Sequence, residues 1–148
     1  MKKQKRKRGS KKSFPIWGWI LLAVIVLVGL GFTVFRQPQA AATSVPTAVS
    51  VNQAAQLRDQ GAFILDVREP SEWAQFHISG ATLIPLGELP NRLSEVPKDR
   101  EVVVVCRTGV RSAQGRDILL KAGFTKVTSM TGGLTQWQAQ GMPVVSGQ

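Results

Sequence analysis

From residue 50 onward the chain alternates short apolar runs with stretches at helical spacing, and that alternation predicts its elements. Ser50 and Gln53 have the form of a capping box, the serine taking a free helix N–H and the glutamine reaching back. The helix they open is expected to end near Gly61, before a buried strand over 62–67. Residues 69–73 start a short helix with Ser71 as its expected cap; a strand over 81–84, a helical stretch over 86–93 and a turn over 97–100 follow. Residues 101–105 bring four consecutive valines with no polar alternation, the pattern of a central parallel strand covered on both faces. A helix over 111–121 closed by Gly123, a strand over 126–130 and a helix over 134–140 complete the series. Strands alternating with helices predict an α/β domain: a small parallel sheet flanked by helices, with ligands gathering beyond the carboxyl ends of the strands.

The first half-hundred residues read differently. Residues 16–35 are apolar throughout and carry no charge; at about 1.5 Å per residue a helix of that length spans about 30 Å, a bilayer core. Trp17 and Trp19 stand where interfacial aromatics belong, directly behind a run of lysines and arginines. The expected organisation is a basic cytoplasmic tail (1–15), one transmembrane helix (16–35), a linker (36–49) and a folded domain (50–148). The positive-inside rule makes this a single-pass protein of the plasma (inner) membrane, with its N-terminus cytoplasmic and its domain extracytoplasmic. Ala40, Ala41 and Ala42 offer an alternative, secretion after signal cleavage near Ala42, but the apolar run exceeds the usual length for a signal.

The formal charge of +10 would suggest a nucleic-acid partner if it lay on the domain. It does not: no acid precedes Asp59, and beyond residue 40 ten bases face nine acids. The partners expected are therefore the lipid bilayer through 16–35 and a small ligand, not nucleic acid. One cysteine and one histidine leave no CxxC pair, no internal disulfide and no thiolate-rich metal site, so no metal or cofactor is expected.

That cysteine, Cys106, leaves the valine strand in the loop Cys106-Arg107-Thr108-Gly109-Val110-Arg111, which runs straight into a helix. Three effects favour negative charge on its sulfur: the unpaired N–H groups of the helix start, a glycine-containing loop able to form an anion nest, and the cations Arg107 and Arg111. A structural buried cysteine is the bland alternative, disfavoured between arginines at a strand exit. Cysteine phosphatases place five residues between cysteine and arginine; here four intervene, which disfavours a phosphatase or arsenate reductase.

Four segments in order resemble the rhodanese family in its single-domain form: 65–69, the strand-and-turn motif; His77-Ile78-Ser79-Gly80-Ala81 with Ile84-Pro85; Cys106 to Ser112, similar to CRxGxRS; and Gly132-Gly133 with Trp137 and Gly141-Met142-Pro143. The resemblance implies a sulfurtransferase in which Cys106 takes a sulfane sulfur as a persulfide. It implies that the backbone of Arg107, Thr108, Gly109, Val110 and Arg111 cradles it, and that a thiol, cyanide or a sulfur-accepting protein takes it away. Arg107 tilts the expected donor toward thiosulfate. The rival reading is a non-catalytic rhodanese-like module that binds or senses sulfur species at the membrane. Phe76, in place of the family's glycine, and Ser79, in place of its proline, depart from the pattern. His77 is expected to serve structure rather than catalysis, Arg68 to pair with Glu69 or Glu72, and Trp73 and Trp137 to lie in the core.

Overall fold

A computed structural model of the protein describes residues 45–147. The expected basic tail, the expected transmembrane helix and the first part of the linker lie outside the described residues. Among the described residues no helix is long and apolar enough to cross a membrane.

The sheet has five strands, all parallel: β1 (Ala48–Val49), β2 (Phe63–Asp66), β3 (Thr82–Leu83), β4 (Val102–Val105) and β5 (Val127–Met130), in the order β1-β5-β4-β2-β3. Helices α1 (Val51–Asp59), α2 (Pro70–Gln75), α3 (Val110–Lys121) and α4 (Gly133–Ala139) flank it. The valine run is central, as its composition demands: Val102 to Val105 are completely buried, each burial worth about 1.5–3 kcal/mol. Strand alternation divides those valines between two apolar layers. Val103 and Val105 face one layer with Val51, Ile64, Leu134 and Trp137; Val102 and Val104 face the other with Leu65, Leu119 and Val127. Cys106, continuing the alternation, falls in the second layer, beneath α3. Gly115 lets α3 come close, since a Cβ there would stand 3.1 Å from Val104 Cγ1.

The α1 capping box forms as expected, Ser50 Oγ accepting the Gln53 N–H and Gln53 Oε1 accepting the Ser50 N–H. Three local expectations are corrected. Ala48 and Val49 are not linker but an edge strand beside Ser129 and Met130, held by the Ser129 N–H to the Thr47 carbonyl and the Thr131 N–H to the Val49 carbonyl. The cap of α2 is Glu69, not Ser71, because Pro70 with its fixed φ takes the first helical position. The expected helix over 86–93 is two 3-10 turns, Leu89–Asn91 and Leu93–Glu95, where Pro90 and the short span leave no room for α-helical bonding.

Candidate active site

The connections from β2 and β4 leave in opposite directions, β2 to β3 on one side and β4 to β5 on the other. Neighbouring strands that part in this way open a crevice at their carboxyl ends, where parallel sheets bind ligands. Asp66 ends β2 and Val105 ends β4, opposite one another in register, so 67–69 and 106–109 are the two lips of that crevice.

On the second lip Cys106 is only 1% exposed, and its Sγ accepts the Gly109 N–H at 3.1 Å. The turn that aims this N–H back at the sulfur requires Gly109, whose φ of +106° lies in the left-handed region. The first backbone bond into α3 runs from the Ala113 N–H to the Gly109 carbonyl, so the N–H groups of Val110, Arg111 and Ser112 stand at the open start of the helix. Of the expected loop residues, Gly109 is the one whose N–H reaches the sulfur. Arg107 and Thr108 are exposed, and Val110, 67% exposed, has only its main chain to offer the site.

The loop is held from behind by Ser112 and by the first turn of α4. Ser112 is completely buried, its hydroxyl donating to the Gly109 carbonyl at 2.8 Å with the Met130 carbonyl at 3.3 Å. The Leu134 and Thr135 N–H groups, from the first turn of α4, donate to the carbonyls of Cys106 and Arg107 at 2.8 and 3.0 Å. Gly133 permits this contact; a Cβ there would collide with the Arg107 carbonyl. The pair Gly132-Gly133 was the legible signal for this support.

Arg111 does not lend a free charge to the loop. Its guanidinium makes a two-pronged pair with Glu72, Nη1 to Oε2 at 2.7 Å and Nη2 to Oε1 at 2.8 Å. Glu72 also accepts the Glu69 N–H. The Arg111 bond, chiefly, lowers its carboxyl from 4.5 to about 2; the same bond raises Arg111. Arg68 was expected to pair with Glu69 or Glu72 but turns instead to Asp66. Both are buried, joined through Nε and Nη2 with a shortest contact of 2.7 Å, and Arg68 also donates to the Phe76 carbonyl at 2.8 Å. Bidentate geometry and these further bonds compensate the burial of both charges. Phe76 takes the family's glycine position without strain, since its φ of −168° is extended backbone.

The His77 ring stacks on Trp73 with centroids 3.7 Å apart, and its backbone pairs with Val145. Trp137 is buried in the core, whereas Trp73 is only half-buried, covering His77 rather than the sheet. Beside the loop lies an open cavity of about 190 Å³, lined by Gln75 and Phe76 from one side, Thr135 and Gln138 from α4, and Arg107, with Arg68 and Glu72 contributing to its wall. Among the described residues no group of acids, histidine and cysteine could hold a metal ion.

A parallel α/β sheet with a cysteine at the exit of its central strand, its sulfur facing a main-chain N–H beside a helix start, is an arrangement suited to sulfur or compact anions. The chain belongs to the rhodanese family: the Rhodanese-like domain matches residues 50–140. A sulfurtransferase of Allochromatium vinosum is 39% identical over 87 residues, covering 59% of this chain and 81% of that protein. Thiosulfate sulfurtransferase 16, chloroplastic, of Arabidopsis thaliana is 35% identical over 111 residues, covering 67% of this chain and 92% of that one. The crystal structure of a rhodanese-related protein from Thermoplasma volcanium superposes with a TM-score of 0.63 at 28% identity, covering 68% of this chain and 98% of that one. Two other relatives are much longer, and the chain spans 21% of their length. Sulfurtransferases among the relatives support a role in sulfur transfer.

Proposed function

We propose that this protein is a sulfurtransferase that passes a sulfane sulfur from thiosulfate or a similar donor to a thiol or cyanide through a persulfide on Cys106. The observation that carries this reading is the Gly109 N–H directed at Cys106 Sγ from 3.1 Å. In the first half-reaction the Cys106 thiolate attacks the outer sulfur of thiosulfate; the S–S bond of the donor breaks and sulfite leaves with its electron pair. The N–H groups at the start of α3 and that of Gly109 hold the negative charge during transfer. In the second, an acceptor thiolate or cyanide attacks the outer sulfur of the persulfide and Cys106 is released as the thiolate. Two half-reactions through one covalent intermediate give ping-pong kinetics. Arg107, exposed and without an ion-pair partner among the described residues, suits an anionic donor, and the name of the Arabidopsis relative supports thiosulfate.

The full-length protein incubated with thiosulfate gains about one sulfur atom in mass, and with cyanide it forms thiocyanate. Cys106→Ser loses both. Absence of both from the unaltered protein would remove the enzymatic reading. A second reading, a non-catalytic module that binds or senses sulfur species, is favoured by the burial of Cys106. Its mark is a Cys106→Ser protein that keeps its cellular function.

The apolar run over 16–35 supports an inner-membrane anchor with the domain outside the cytoplasm, where a sulfur-accepting protein is a further candidate partner. A C-terminal alkaline phosphatase fusion is active if this topology holds. The mass of the mature chain separates a retained anchor from cleavage near Ala42.

A further inference from the structure

The cavity beside the active loop is larger than the proposed small substrates need and is placed to one side of the sulfur. Its volume of about 190 Å³ is well above the roughly 10–15 Å³ that a single water needs on the same measure. Cys106 does not line it, whereas its neighbour Arg107 does. A ligand that reached both the sulfur and this cavity would need a spacer between its reacting atom and the rest of its structure. Thiosulfate and cyanide have none.

The charges of the lining residues narrow the occupant. Arg68 is matched by Asp66 and Glu72 by Arg111, each through two-pronged contacts. That leaves the Arg107 guanidinium as the cavity's one charge without an ion-pair partner among the described residues. The other lining residues are Gln75 and Gln138, which carry amides, Thr135, which carries a hydroxyl, all three exposed, and the apolar Phe76. One cation among neutral groups that both donate and accept hydrogen bonds fits a carboxylate and an amide on a short carbon frame.

Resting on the sulfurtransferase reading, we propose that this cavity is the acceptor subsite and that it selects a small organic thiol carrying a carboxylate and an amide. The carboxylate lies against Arg107 and the amide between Gln75 and Gln138. The thiolate of this acceptor attacks the outer sulfur of the Cys106 persulfide, the Cys106 S–S bond breaks, and the acceptor departs as its own persulfide while Cys106 regains the thiolate.

The test uses the full-length protein with saturating thiosulfate and three acceptors: N-acetylcysteine, N-acetylcysteine amide and cyanide. The acid and amide differ in the charge that Arg107 would read, and comparing their ratio between proteins cancels their intrinsic reactivities. Arg107→Gln is expected to lower the acid-to-amide ratio of kcat/KM about fivefold, the scale of one exposed ion pair. Gln75→Ala with Gln138→Ala is expected to raise KM for both thiols relative to cyanide. An acid-to-amide ratio that Arg107→Gln leaves unchanged, or three acceptors that fall in step in the double variant, would overturn the subsite. Failure of the unaltered protein to make thiocyanate would instead remove the sulfurtransferase reading and this inference with it.

Discussion

At the scale of single residues, the site depends on groups that never touch the sulfur. Ser112 bonds the carbonyl of Gly109, the residue whose N–H faces Cys106, so its hydroxyl restrains the turn that presents that N–H. Ser112→Ala removes one buried hydrogen bond, a loss of about 1 kcal/mol in stability. Because the freed loop can turn its N–H away, the rate of persulfide formation should fall further than stability does. Stopped-flow mass analysis beside urea unfolding would separate the two, and an unaltered loading rate would show that the loop holds its shape without the serine. Thr128 presents the opposite case. Its hydroxyl is buried in β5 with no hydrogen-bond partner among the described residues, a desolvated polar group. Thr128→Val should raise stability by about 1 kcal/mol, read as a higher urea midpoint at constant m-value.

At the scale of elements, the ion pair of Glu72 with Arg111 joins α2 to the first turn of α3 across the crevice. A carboxyl near 4.5 in the unfolded chain and about 2 in the folded one gives stability that is complete above 4.5 and lost as pH falls toward 2. The stability difference between the unaltered protein and Glu72→Gln should therefore be constant at neutral pH and shrink between about pH 4.5 and 2, measured by urea unfolding at each pH. A difference independent of pH would mean that the carboxylate charge contributes nothing. This pair also marks the limit of what the chain's pattern discloses. The strands and helices were legible because burial imposes strong periodicities: four valines for β4, a capping box for α1, glycines at the ends of helices. Cys106 and its loop were legible because cysteine, glycine and arginine stand together in sequence. The partner of Arg111 lies 39 positions away, and no local spacing distinguishes Glu72 from Glu69. The two residues of β1 are too few to carry any period, and only the carbonyls they offer to β5 make them a strand.

At the scale of the whole molecule, the charge divides the sequence near residue 40. Among the described residues both apolar layers are built from Val49 onward, and 43–148 forms a compact unit with its own core. A chain of 45–148 should therefore fold alone and unfold cooperatively. It should also transfer sulfur from thiosulfate to cyanide at the rate of the full chain, since every residue of the loop and its supports lies within it. The same truncation tests the meaning of the net charge. Ten bases and nine acids beyond residue 40 nearly cancel, and most of those cations are paired or scattered around the surface. Polyanion affinity depends on clustered cations that release counterions and weakens steeply with salt. The full chain should accordingly bind heparin or duplex DNA at low salt through its basic tail and release them as salt rises, while 45–148 passes through the same column unretained. Retention of the truncated domain would show a basic face on the fold itself and reopen nucleic acid as a partner; equal catalysis without retention would confine the positive charge to the tail, as an attribute of how the protein is placed rather than of what its thiol does.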